Sequence, residues 1–297
     1  MTRDTISPSD SRAIQAVLIA VRQAADAICD RWSFILIAAA FAGETRFGGF
    51  LERTGMANRL VASRLKALCD LGVMMRVPYC VRPPRDEFVL TNQGRALLPV
   101  LQHMADWDRA WDKRPEPSPL LETASGSALT ITLTCGFCGQ VTTARDIALK
   151  VSRAQLQAAP KKTSERRRSI VTSADRQFNT FGLRQSLDIF GDKWSIEIVL
   201  IAFFALTRFS DYMDSLGIAA NTLIDRLERL VALGIFRQDE VRGYQLSEKG
   251  LALYGILVSI QAWADAWLPQ RYKSPVTLIH RPCGHVFKPH SKIEVAD

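Results

Sequence analysis

The 297-residue chain repeats itself, and that repeat limits its fold more than any other feature. Asp26-Ala-Ile-Cys29-Asp30-Arg-Trp32-Ser33 aligns with Asp188-Ile-Phe-Gly191-Asp192-Lys-Trp194-Ser195 at an offset of 162 positions. The same offset carries Thr45-Arg46-Phe47 onto Thr207-Arg208-Phe209, Arg64-Leu65 onto Arg226-Leu227, and Leu71-Gly72-Val73 onto Leu233-Gly234-Ile235. Downstream the offset shortens to 156, where Leu90-Thr91-x-x-Gly94 matches Leu246-Ser247-x-x-Gly250 and Trp107 and Trp111 match Trp263 and Trp267. One length difference between two aligned blocks marks a variable surface loop. Two copies of about 100 residues are a duplicated domain, whereas a solenoid repeats every 20 to 50 residues.

Each copy carries the same order of elements. A helical stretch is predicted to run through Trp32 (Trp194) into an apolar segment, and a short helix follows Arg46-Phe47 (Arg208-Phe209). After Gly55 (Gly217) comes an amphipathic helix with Val61, Leu65, Leu68 and Leu71 at helical spacing, matched by Leu223, Leu227, Leu230 and Leu233. Gly72 and Gly234 stand where a helix-ending glycine belongs. Short strands are predicted at 73–77 and 87–90, then at 235–239 and 244–246, and Thr91 and Ser247 are suited to N-cap a last helix. This order predicts a mostly helical α+β chain with small β-hairpins: two winged helix-turn-helix domains. The boundaries expected are a first domain at 1–115, a hairpin extension with Cys-x2-Cys at 116–144, a basic linker at 145–180, a second domain at 181–270 and a hairpin tail at 271–297.

Composition narrows the class. The chain is 47% hydrophobic and 23% charged, enough for a core and too balanced for a disordered chain. The longest apolar runs, 34–42 and 198–206, fall well short of a membrane span, residues 2–11 are polar and do not read as a secretory leader, and six cysteines do not suggest a disulfide scaffold. A cytoplasmic, nucleoid-associated protein is expected. The net charge is +8, and it is unevenly spread: +2 over 1–144, +6 over 145–180 and 0 over 181–297. In the linker, Lys161, Lys162 and Arg166, Arg167 and Arg168 read either as a solvated tether or as phosphate contacts. No glycine-rich phosphate loop, H-E-x-x-H or nucleophile elbow is present, so no enzyme is expected.

The order and spacing of Gly191-Asp-Lys-Trp194, Arg46-Phe47, Arg64-Leu65-x-x-Leu68-x-x-Leu71-Gly72, Leu90-Thr-x-x-Gly94-Arg95 and the closing Trp pairs resemble the HxlR family of bacterial winged-helix regulators. The resemblance covers roughly 19–111 and 181–267. It implies a transcription regulator that is typically homodimeric through its first and last helices. Two copies in one chain then imply an intrachain pseudo-dimer, with further pairing of such chains left open. The Cys-Pro pair used by thiol-sensing members is replaced by Ile19-Ala20 and Phe181-Gly182, so no such sensor is expected. Cys29 and Cys69 read as structural.

Recognition helices place donors at their N-terminal end in the major groove. In the first copy the face off the apolar stripe holds Asn58, Arg59, Ser63 and Lys66, types that pair with adenine, guanine or phosphate. Arg64 abuts the stripe and either reaches phosphate or braces the fold. In the second copy the face holds Asn221 and Thr222 with Asp225 and Glu228, leaving Arg226 and Arg229 at its flank. The first wing carries Arg82 and Arg85 around two prolines, and the second carries Arg242 beside Asp239 and Glu240. The partner expected is therefore a double-stranded DNA operator, with the first copy dominating contact.

A second set of residues concerns the tails. Cys135-Gly-Phe-Cys138 and His280-Arg-Pro-Cys283-Gly-His285 together offer ligands of the kind zinc takes, although a metal-free hairpin and a redox dithiol stand as alternatives. By analogy with the family, the chain is expected to repress transcription until a small-molecule effector binds beside Trp32, Trp107, Trp194 and Trp263, with plain core packing as the other reading of those rings. The competing functions are an interaction protein whose second half only dimerises, and a metal-responsive regulator.

Overall fold

The computed structural model describes residues 27–113, 116–123, 125–150, 178–269 and 276–295, with the helical positions 14, 18 and 25. Lys161, Lys162 and the Arg166 to Arg168 run, with the linker expected around them, lie outside the described residues. The chain divides into two compact units. One groups Ala27–Ile131 with Arg168–Asp192 and Ile293–Asp297, and the other groups Met1–Asp26, Thr132–Arg167 and Lys193–Lys292. Each unit is therefore one repeat together with the opening segment of the other.

The first unit has α1 (Arg31–Phe41), α2 (Phe47–Thr54), α3 (Asn58–Asp70), β1 (Met74–Val81), β2 (Pro84–Leu90), α4 (Asn92–Arg95) and α5 (Leu98–Trp111). That is the winged helix-turn-helix order. α3 forms because Val61, Leu65 and Leu68 line one face and are fully buried. It stops at Gly72, whose φ of +82° suits glycine. The Gly72 N–H donates to the Cys69 carbonyl at 3.0 Å and the Val73 N–H to the Leu68 carbonyl at 2.9 Å, a Schellman pair.

Three expectations are corrected here. The predicted opening helix is interrupted at Cys29–Asp30. Asp30 is extended (φ −126°, ψ 126°) and caps α1, its Oδ2 accepting from the Ser33 N–H at 3.1 Å and the Ser33 hydroxyl at 2.9 Å. The last helix is split into α4 and α5. Thr91 caps only α4, through the Gly94 N–H at 3.1 Å, and Pro99 near the start of α5 has no N–H to continue the ladder. The first wing is longer than predicted, with Val81 opposite Pro84 at its tip. A two-stranded sheet leaves outer edges unpaired, and a register irregularity between Pro78 and Cys80 accommodates the other proline.

α6 (Arg184–Phe190) opens the second repeat but packs in the first unit. The buried Asp108 carboxylate of α5 accepts from the backbone N–H groups of Gln185 (2.7 Å) and Ser186 (3.0 Å) and from the Ser186 hydroxyl. An acid thus satisfies the unpaired donors that begin a helix. Arg31 Nη1 lies 2.9 Å from Asp188 Oδ1. A Cβ on Gly191 would sit 2.8 Å from the Arg31 Cβ, so glycine is required there, where the first repeat has the buried Cys29.

The second unit repeats the order with α7 (Lys193–Ala202), α8 (Phe209–Leu216), α9 (Ala220–Ala232), β5 (Phe236–Asp239), β6 (Gly243–Leu246), α10 (Glu248–Leu251) and α11 (Tyr254–Trp267). α9 ends as α3 does, with the Gly234 N–H on the Val231 carbonyl (2.8 Å) and the Ile235 N–H on the Leu230 carbonyl (2.9 Å). Helical Ile14 and Leu18, both buried, belong to this unit. β4 (Ile147–Lys150) pairs antiparallel with β7 (Thr277–His280), placing Ile147 opposite His280, and β3 (Leu129–Cys135) pairs with β8 (Pro289–Val295). Residues 145–150 are thus a turn and a strand instead of linker, because the C-terminal tail supplies the strand that pairs with them. Leu133, Cys135, Tyr254, Val258 and Phe287 form an apolar cluster that seats these strands on α11.

Candidate nucleic-acid interface

Burial of the α3 stripe fixes what the opposite face presents. Asn58, Arg59, Ser63 and Lys66 are all exposed. The Ser63 hydroxyl donates to the Leu60 carbonyl at 3.0 Å, and Lys66 Nζ lies 2.6 Å from Asp70 Oδ2, one turn on. Exposed pairs of this kind contribute little, about 0.3–0.5 kcal/mol, so Lys66 can exchange Asp70 for a phosphate. Arg64 behaves differently. It is half-buried, and its Nε lies 2.7 Å from Oδ2 of Asp30 in an ion pair that is not aligned as a hydrogen bond. Of its two expected roles, the geometry favours bracing α1 against α3.

The equivalent face of α9 presents exposed Asn221, Ile224, Asp225 and Glu228 with half-buried Thr222. Arg226 is paired with Asp225, and its side chain is only 17% exposed. Arg229 is half-buried. The two recognition faces therefore differ in sign as well as in residue type.

The wings differ too. Arg82 and Arg85 are exposed at the tip of the first. At its base Arg46 stacks over the Tyr79 ring (4.8 Å) and lies 3.5 Å from Glu87, while Arg76 lies over Phe88 at 5.4 Å. Arg46 and Arg76 extend the basic surface beyond the sites expected from sequence. Thr-Arg-Phe recurs in both copies, but that recurrence assigns Arg46 no contact, and nothing in the pattern singles out Arg76. In the second wing the Asp239 carboxylate accepts from the Val241 N–H (2.9 Å) and the Arg242 N–H (2.7 Å), which holds it below the usual carboxylate range. Exposed Arg242 thus shares its tip with an ionised acid.

The four tryptophans occupy packing positions. Trp107 and Trp263 are buried, Trp194 is half-buried, and Trp32 meets Phe178 edge to face at 4.9 Å. None of them lines the cavity of about 330 Å³ in the second unit. That cavity is bounded by Leu200 and Phe203 from the α7 end, Val258 and Gln261 of α11, and Leu149 and Leu278 of β4 and β7. Its walls are mostly apolar, with Gln261, Asp265 and Thr277 as the polar lining, and Gln261 Oε1 is buried without a hydrogen-bond partner among the described residues.

Four of the five ligand candidates come together. Cys135, Cys138, His280 and Cys283 place one donor atom each within 4.8 Å of one another. His285 is not among them: its ring stacks on Phe137 at 3.4 Å, and its Nδ1 lies 2.8 Å from the Cys283 carbonyl. That removes His285 from the expected set, since two residues past Cys283 the chain has already turned away. Cys29 is buried, whereas Cys69, for which burial on the core helix is the expectation, is only half-buried.

Residues 27–116 and 189–272 match the HxlR-like helix-turn-helix family, one match per repeat. The uncharacterised HTH-type transcriptional regulator MT3179 of Mycobacterium tuberculosis (strain CDC 1551 / Oshkosh) is 33% identical over 129 residues, 43% of this chain and 82% of that protein. The uncharacterised HTH-type transcriptional regulator YdeP of Bacillus subtilis (strain 168) is 34% identical over 90 residues, 30% of this chain and 70% of that protein. The crystal structure of PA1607, a candidate transcription factor, is 35% identical, covers 41% of this chain and 86% of its own, and superposes with a TM-score of 0.36. No helix among the described residues is long and apolar enough to cross a membrane.

Proposed function

From the premise that this chain belongs to the HxlR-like helix-turn-helix family, we propose that it is a sequence-specific repressor whose first repeat dominates operator contact and which a small effector releases. Membership makes it a DNA-binding transcription regulator; the unequal halves, the repression and the effector are the proposal.

The observation that carries the asymmetry is the pair of recognition faces. Exposed Asn58, Arg59, Ser63 and Lys66 on α3 offer donors to base edges and phosphates, whereas Asp225 and Glu228 on α9 would meet phosphate with like charge. The second repeat then serves chiefly as the pairing half of an intrachain pseudo-dimer, a role supported by the packing of α6 on α5 of the first repeat. Repression rests on the family resemblance. The effector is supported by the cavity beside α11, whose volume of about 330 Å³ suits a small apolar molecule with one hydrogen-bond donor for Gln261 Oε1.

The test is selection of bound duplexes from a random DNA pool by the full chain, followed by a footprint on the enriched sequence. One strongly protected half-site beside a weak one is the expected result. Two equally protected half-sites would overturn the asymmetry, and no protection at any salt would overturn operator binding.

A further inference from the structure

Two turns far apart in sequence share one backbone design. In Cys135-Gly-Phe-Cys138-Gly139 the Cys135 carbonyl accepts from the Gly139 N–H at 2.7 Å, and the Cys135 N–H donates to the Gln140 carbonyl at 2.9 Å. In His280-Arg-Pro-Cys283-Gly284 the His280 carbonyl accepts from the Gly284 N–H at 2.8 Å, and the His280 N–H donates to the His285 carbonyl at 3.0 Å. Each turn closes on a glycine in the left-handed region, φ +74° at Gly139 and +72° at Gly284. His280 thus stands where Cys135 stands, and Cys283 where Cys138 stands. Each turn aims its first and fourth side chains to one side, as a metal-binding knuckle does.

The two turns face one another within the second unit. His280 Nδ1 lies 3.4 Å from Cys138 Sγ and 3.2 Å from Cys283 Sγ. Zinc bonds of about 2.3 Å to sulfur and about 2.0 Å to nitrogen, set tetrahedrally, separate such atoms by roughly 3.5 Å. Backbone N–H groups of Cys138 and Phe137 lie within hydrogen-bonding reach of the Cys135 sulfur, as suits a coordinated thiolate. All three thiols are free.

We propose that Cys135, Cys138, His280 and Cys283 bind one zinc ion as a closed, tetrahedral structural site. Three soft thiolates and one imidazole select zinc over magnesium, calcium or manganese, and four protein ligands leave no position for a substrate. The site has work to do in the fold. β3 with β8 and β4 with β7 are two-stranded sheets, which are marginal on their own in water. A metal joining the two turns locks these strands together above the cluster of Cys135, Tyr254, Val258 and Phe287, and so holds one wall of the cavity described above. The proposal does not depend on how the recognition helices bind DNA.

The experiment is zinc analysis of the full chain purified without chelator, beside Cys138→Ser, Cys283→Ser and the control Cys69→Ser. About one equivalent of zinc in the parent and the control is expected, falling to a small fraction in the other two. Should those variants not fold, cobalt titration of the chelator-treated parent is read for the thiolate charge-transfer band and the strong visible bands of tetrahedral Co²⁺. Zinc well below one equivalent, with neither band appearing, would overturn the proposal. So would a Cys135–Cys138 disulfide that, once reduced, takes up no metal.

Discussion

Arg64 of the recognition helix lies 2.7 Å from Asp30, the residue that caps α1, so one carboxylate both starts a helix and holds the next one against it. Both side chains are more than a third exposed, which limits the pair to at most about 1 kcal/mol, while the cap contributes about 1 kcal/mol by itself. Asp30→Ala is therefore expected to lower unfolding free energy in urea more than Arg64→Ala does. Arg64→Ala should also leave the salt dependence of DNA binding unchanged. A slope shallower by about 0.9 would show instead that Arg64 touches a phosphate.

Arg59 and Asn221 stand near the start of equivalent helices, and the proposed asymmetry separates them. Arg59→Ala should weaken operator binding by roughly 5- to 150-fold, the 1–3 kcal/mol of a good base contact. Asn221→Ala should change it by less than about 0.5 kcal/mol, the range of ordinary surface substitutions. Fluorescence anisotropy on one duplex measures both, and equal weakening by the two would sink the asymmetry.

The wings give an independent reading of the same idea. Arg82 and Arg85 are exposed at a tip whose neighbouring acid, Asp86, is half-buried, whereas Arg242 shares its tip with exposed Asp239 and Glu240. Replacing Arg82 and Arg85 together by Ala should reduce the slope of log K against log salt by about 1.8, or about 0.9 for each phosphate that is no longer neutralised. Arg242→Ala should leave that slope nearly unchanged. The comparison needs only a salt series on three proteins.

Much of this architecture was legible before any coordinates, and the exceptions have physical reasons. The Val61, Leu65 and Leu68 spacing and the glycine at 72 are local signals, and the structure realises both. The break at Asp30 was less visible, because an Asp among helix-forming residues reads as interior until its side chain is seen to accept from Ser33. Splitting of the last helix was hidden for a similar reason: Thr91 is a true cap, but of four residues. The long-range features were out of reach. Nothing local tells β4 that it pairs with β7, or that His280 meets Cys138, and by residue type alone His285 is as good a ligand as His280. Net charge misled in another way, since its excess lies mainly between the halves whereas the recognition faces differ by single residues.

His103 and Asp108 lie five residues apart on α5, both buried, and their titrations oppose each other. Burial lowers His103 to about 4 from 6.5. Its contribution to stability is thus complete above pH 6.5 and is lost as pH falls toward 4. Burial raises Asp108 to about 6 from 3.8, although the Ser186 hydroxyl, the Ser186 N–H and the Gln185 N–H all pull it down. The contribution of its protonated form is complete below pH 3.8 and is lost as pH rises through 6. Each shift is worth about 3 kcal/mol at 1.36 kcal/mol per unit, so the two slopes nearly cancel between pH 4 and 6. Single variants should expose them. Relative to His103→Gln, the parent should lose stability as pH falls from 6.5 to 4; relative to Asp108→Asn, it should lose stability as pH rises from 4 to 6. Urea titrations at several pH values measure both differences. Parallel curves for parent and variants would show that neither group titrates as its burial requires.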